Sequence, residues 1–160
     1  MKKLWLLSFI CCISSQAAQA NELARFHADS LAAIQARYAG QPFILSLWSA
    51  NWCGHCITEL TMLGKLAHTE KRLPLVLVSV DRPEETPALQ ATLRSLGLGR
   101  MEAWVFDDDI SERLRAAVDP AWHGELPRTY LYDAQHRREA VTGILGEEKL
   151  KSWLRQNVRD

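Results

Sequence analysis

Cys53 and Cys56 stand three residues apart in the pentapeptide Trp52-Cys53-Gly54-His55-Cys56. Two thiols at that separation can close a structural disulfide, supply half of a metal site, or work as a redox pair. Their context bears on the choice. Residues 43–49 (FILSLWS) read as a buried strand, and Gly54 to about His68 as a helix with Ile57, Leu60, Leu63 and Ala67 on one face. Cys53 thus falls at a helix start, where unpaired N–H groups and a partial positive charge favour an anion. A thiol placed there ionises at neutral pH, and the thiolate is the nucleophile. A loop so short adds little stability through chain entropy, which disfavours a staple. A closed zinc site needs four ligands. His55 is expected to point outward, and His68, His123 and His136 are scattered. The strand–CxxC–helix context favours redox chemistry. Two alternatives stay open: a copper-handling protein using Cys53, Cys56 and a histidine, and a binding module whose CxxC is inert.

The elements that must position this pair follow from periodicity. Residues 21–40 have helical spacing at Leu23, Phe26, Leu31, Ile34 and Tyr38, with Gly40 as the stop. Leu73 to Val80 is a near-continuous apolar run, as a strand covered on both faces requires. Thr86 is expected to cap, and Pro87 to open, a helix carrying Leu89, Leu93 and Leu96. Met101 to Phe106 reads as a strand, Ile110 to Val118 as a short helix behind Asp107-Asp108-Asp109, and Glu147 to Val158 as the closing helix. Thr129 to Tyr132 and Glu139 to Ile144 read as a hairpin across a polar turn. Alternating strands and helices imply a parallel core, and the hairpin adds antiparallel strands.

The chain has 160 residues, 48% of them apolar, with 19 basic and 19 acidic side chains. That composition suits one α/β domain, and the absence of a basic excess speaks against nucleic acid. Residues 1–20 read as a signal peptide: Lys2-Lys3, an apolar run from Leu4 to Ile13, and Ala18-Gln19-Ala20 as the cleavage pattern. The run is short for a bilayer, which takes roughly 20 residues. Cleavage would remove Cys11 and Cys12 and leave residues 21–160 as a single domain with two cysteines in an oxidising compartment. The expected location is the periplasm, without stable membrane insertion after cleavage; a membrane-anchored form is the alternative.

Trp52-Cys53-Gly54-His55-Cys56 after an apolar strand resembles the thioredoxin superfamily, and Cys-Gly-His-Cys is similar to the tetrapeptide of disulfide isomerases. The surrounding chain resembles the exported TlpA/ResA-like branch, through Val78-Ser79-Val80-Asp81 and Leu126-Pro127-Arg128-Thr129-Tyr130-Leu131-Tyr132-Asp133. Gly143 to Leu154 resembles the last strand and helix of thioredoxins. The resemblance covers residues 42–155. It implies a thioredoxin fold, a central mixed β-sheet flanked by helices, here with an N-terminal helical extension. It implies a thiol–disulfide oxidoreductase with Cys53 attacking, Cys56 resolving and no cofactor beyond the redox-active Cys53–Cys56 disulfide. Leu126-Pro127 becomes a cis peptide facing the disulfide. With Trp52, it is expected to receive protein thiol or disulfide substrates. The branch is usually reductive and takes electrons from a membrane thiol transporter.

Glu59, where the branch often has Glu, is either a proton carrier for Cys56 or a solvated helix glutamate. Gly54 and His55 are read as tuning the pair, since a donor beside the Cys53 thiolate stabilises the reduced form and makes the disulfide more oxidising. That pull toward an oxidant or isomerase opposes the reductive habit of the branch. The chain also departs from the pattern. Ser46 stands where thioredoxins place a buried Asp, so that relay is absent, and Trp48 to Trp52 is one residue longer than usual. The CxxC lacks proline, and His136 occupies a turn position where Gly is usual. Trp122 and His123 either line the substrate groove or pack their loop. Asp107 to Asp109 read as helix capping rather than a cation site, and His136-Arg137-Arg138 as a solvated turn.

Overall fold

The computed structural model describes residues 22–70, 72–108 and 110–158. The leader read over residues 1–20, with Cys11 and Cys12, lies outside the described residues, as does Asp109. Within them the order is β1 (Ala24–Phe26), α1 (Ser30–Arg37), β2 (Phe43–Trp48), α2 (Gly54–Thr69), β3 (Leu75–Ser79) and α3 (Thr86–Ser95). There follow β4 (Glu102–Phe106), α4 (Ser111–Val118), β5 (Arg128–Tyr132), β6 (Arg138–Thr142) and α5 (Glu147–Asn157).

The strands form one sheet in the order β1-β4-β3-β2-β5-β6. The β1–β4, β4–β3 and β3–β2 pairs are parallel, while β5 runs antiparallel to both β2 and β6. Every residue of β2 and β3 is buried, which is why both read as near-continuous apolar runs, broken only by Ser46 and Ser79. Leu60 and Leu63 of α2, Leu89 and Leu93 of α3 and Leu150 of α5 pack on one face, against Ile44, Leu75, Leu77 and Leu131. Leu31 and Ile34 of α1 with Leu114 and Val118 of α4 cover the other, against Leu45, Leu47, Val76 and Val78. The central mixed sheet flanked by helices is the expected architecture. α2 and α3 meet so closely at Gly64 that a Cβ there would lie 1.9 Å from the Leu96 carbonyl oxygen. Among the described residues no helix is long and apolar enough to cross a membrane.

The N-terminal segment is not one helix over 21–40. Leu23 joins one core layer and Phe26 the other. Positions three apart share a helix face but lie on opposite faces of a strand. Phe26 pairs with Phe106 at the sheet edge and stacks on its ring at 5.5 Å, and the helix begins only at Ser30. Thr86 does not cap α3 either. A 3-10 turn, Pro83–Glu85, runs directly into the helix, and the Thr86 hydroxyl donates to the Pro83 carbonyl. The β5–β6 turn is less solvated than its composition suggests. His136 adopts φ +58°, places its ring edge-on to Phe43 and Tyr132, and sets Nε2 2.9 Å from the Tyr38 carbonyl oxygen.

Candidate functional site

β2 ends at Trp48, and the chain crosses Ser49 to Trp52 before α2 begins at Gly54. Cys53 precedes the helix, and its Sγ accepts from the Cys56 backbone N–H at 3.2 Å, as a capping side chain does. Cys53 and Cys56 are joined in a disulfide, with Cα atoms 5.2 Å apart. Cys56 is fully enclosed, whereas Cys53 is 7% exposed, so a partner meets Cys53 first. Trp52 beside it is 63% exposed, and Gly54 and His55 are also on the surface. A Cβ at Gly54 would meet nothing within 4 Å, so the glycine leaves open space next to Cys53 instead of serving packing.

Glu59 lies one turn beyond Cys56 on α2, at the spacing that places two side chains on one helix face. It is 1% exposed, which overturns the solvated-glutamate reading. Its Oε1 accepts from Ser46 Oγ at 3.1 Å and from Thr129 Oγ1 at 2.8 Å, and its Oε2 accepts from the Leu145 N–H at 2.7 Å. Ser46 and Thr129 are direct partners across β2 and β5, so one cross-strand pair supplies both hydroxyls. Gly143, at φ +81°, donates its N–H to the Pro127 carbonyl and turns the chain so that Leu145 reaches Glu59. A buried carboxylate is therefore present on the cysteine side of the sheet after all. It comes from the helix, while Ser46, at the strand position, acts as its donor.

Leu126-Pro127 is cis, as expected. Because Arg128 pairs with Leu47, Pro127 sits at the end of β2 from which the cysteine loop departs. The structure thus gathers Trp52, Cys53, Cys56, Leu126 and Pro127 at one end of the sheet. Trp122 does not line a groove: it is buried in the core layer of α1 and α4, and its Nε1 donates to the Glu125 carbonyl. His123 is exposed. Asp108 accepts from the Ile110 N–H at 2.8 Å just ahead of α4, so its role is local to the turn.

Two further carboxylates brace this end of the molecule, and sequence reasoning gave neither a role. Asp119 accepts from the Ala121 N–H and the Tyr130 hydroxyl, and pairs with Arg128 at 3.2 Å and Arg138 at 3.0 Å. Burial opposes its ionisation, but the Ala121 and Tyr130 donors and the two guanidiniums outweigh that and hold its carboxyl below the usual range. Burial pushes the Tyr130 phenol up to about 12, with Arg128 opposing the rise and Asp119 adding to it. Asp81, 5% exposed, accepts from Ser49 Oγ at 2.5 Å, the Ala50 N–H at 2.8 Å and Ser79 Oγ at 2.9 Å. An Asp directly after an apolar strand was the available signal. Among the described residues no three His, Cys, Asp or Glu side chains gather as a metal ion would need.

The profile of the AhpC/TSA family matches residues 16–141. The search of curated proteins finds no match. Among solved structures, the chain is similar to a secreted Mycobacterium tuberculosis disulfide oxidoreductase homologous to E. coli DsbE. The identity is 18%, the coverage 76% of this chain and 85% of that one, and the TM-score 0.57. It is similar to a DsbF homologue from Corynebacterium diphtheriae, with 19% identity, 76% and 75% coverage and a TM-score of 0.61. A thiol:disulfide interchange protein of the thioredoxin family from Chlorobium tepidum gives 16% identity, 78% and 85% coverage and a TM-score of 0.60. At these identities the likeness shows the fold, which is that of thioredoxin.

Proposed function

The chain belongs to the AhpC/TSA family, and from that premise we propose that it is a thioredoxin-type thiol–disulfide oxidoreductase that reduces protein disulfides in the periplasm. The carrying observation is the Cys53–Cys56 disulfide at the start of α2, with Cys53 the more accessible sulfur and Trp52 exposed beside it. In the reduced form, the Cys53 thiolate attacks a substrate disulfide, forms a mixed disulfide and expels one substrate thiolate. Cys56 gives up its proton, attacks the Cys53 sulfur and expels the second thiolate. Two electrons pass to the substrate, whose thiolates take up two protons, and the chain is left as the disulfide. A membrane thiol–electron transporter would return it to the dithiol.

Glu59 is the acceptor for the Cys56 proton. Its position one turn away and its enclosure by neutral donors support that role. Trp52 and the Leu126-Pro127 segment bind the substrate chain on either side of Cys53. The leader pattern of residues 1–20 supports export, and one similar structure is of a secreted protein.

Cys56→Ser should accumulate mixed disulfides with protein substrates and Cys53→Ser should not; if neither traps anything, thiol exchange is wrong. His55, exposed within the CxxC, favours a second reading as oxidant or isomerase. The reduction potential separates the two: near about −270 mV suits a reductant, and about −120 to −180 mV an oxidant or isomerase.

A further inference from the structure

The segment from Trp48 to Trp52 is one residue longer than thioredoxin-like chains usually have, and it is held at the Asn51 side chain. The Asn51 amide donates to Asp81 Oδ1 at 3.4 Å and to Glu85 Oε1 at 2.7 Å. Its backbone N–H donates to Ser49 Oγ, which itself donates to Asp81. Glu85 is fixed in turn, because its Oε2 accepts from the Arg82 N–H at 2.9 Å. One exposed side chain thus ties the loop both to the buried carboxylate at the end of β3 and to the turn entering α3. The next two residues are Trp52 and Cys53.

We propose that Asn51, gripped by Asp81 and Glu85, is a positioning residue that sets Trp52 and Cys53 for protein substrates. This rests on the oxidoreductase reading above. A small disulfide needs only access to the Cys53 sulfur, whereas a protein chain must meet Trp52, Cys53 and the Leu126-Pro127 segment in one arrangement. Small misplacements of such a set are costly in rate. Loosening the loop should therefore penalise protein substrates selectively.

The test compares reduced wild type with Asn51→Ala, reacting with insulin and with oxidised glutathione. Asn51 is on the surface, so the variant should fold. The expected result is an insulin rate lower by about tenfold and a glutathione rate lower by less than about twofold. Glu85→Ala should act in the same sense, the double variant should lose less than the product of the two, and Glu85→Gln should retain more rate than Glu85→Ala. Equal losses with both disulfides would overturn the proposal, since a merely structural role loosens both alike; so would no loss with insulin. If the wild type exchanges with neither disulfide, the oxidoreductase reading fails instead.

Discussion

Glu59 and Asp119 are both buried carboxylates, and they sit on opposite faces of the same sheet. Glu59, on the cysteine side, is held by two hydroxyls and one backbone N–H. Asp119, on the far side, is held between two guanidiniums with a phenol and a backbone N–H. A hydroxyl can turn from donor to acceptor when its carboxylate partner takes up a proton, but a guanidinium can only donate. The Glu59 cradle thus accommodates both protonation states at Oε1, while the Asp119 cradle accommodates one. The first suits proton traffic and the second suits a fixed brace for the chain entering β5.

The largest expected effect is on the brace. Asp119→Ala strands Arg128 and Arg138 against Tyr130, and should cost about 3 kcal/mol or more in denaturant unfolding. Exchange per folded molecule should stay the same; a stable variant with slow exchange would invert the comparison. The pH dependence has a definite sign. Because the folded carboxyl titrates below its ordinary value of about 3.9, its contribution is complete above that value and fades as pH falls through the lower folded one. The stability gap between wild type and Asp119→Asn should therefore close in that acid window and hold steady above it.

Glu59→Gln should do the reverse. Its stability cost should be about 1 kcal/mol, because the amide can keep the hydroxyl donors but sets N–H against the Leu145 N–H. Resolution of the mixed disulfide by Cys56, followed in single turnover, should slow by about a hundredfold. Unchanged resolution would make Glu59 another structural carboxylate. The smallest effects belong to the cradle itself. Ser46→Ala and Thr129→Val should each cost about 1 kcal/mol. Since both hydroxyls serve Oε1, the double variant should lose more than the sum of the two.

The fold was largely legible because its signals are local. β2 and β3 are apolar but for Ser46 and Ser79, α2 shows its buried face at helical spacing, and the hairpin carries its own turn. β1 escaped because three residues make no period, and only pairing with β4 selects strand over helix there. In the site, Cys53 and Cys56 are marked by their spacing at a helix start, while Trp52 and Leu126-Pro127 stand out only through the resemblance to thioredoxin-like chains. The environment of Glu59 is not, because its donors lie far along the chain: Thr129 is 70 positions away and Leu145 is 86. The grip on Asn51 likewise joins residues 30 and 34 positions apart, and nothing near Asn51 announces it.

Gly64 takes no part in thiol chemistry, yet α2 carries Cys56 and Glu59, starts beside Cys53, and rests against α3 at this one bare backbone position. A library of variants selected only for activity would rank Gly64 beside the two cysteines. Solubility should separate them, since single-cysteine variants are expected to stay folded, whereas a side chain at 64 would run into the Leu96 carbonyl oxygen and should force α2 and α3 apart. For anyone redesigning the reactive pair, one constraint on where it can sit is thus imposed from the middle of its helix, by an atom that is not there.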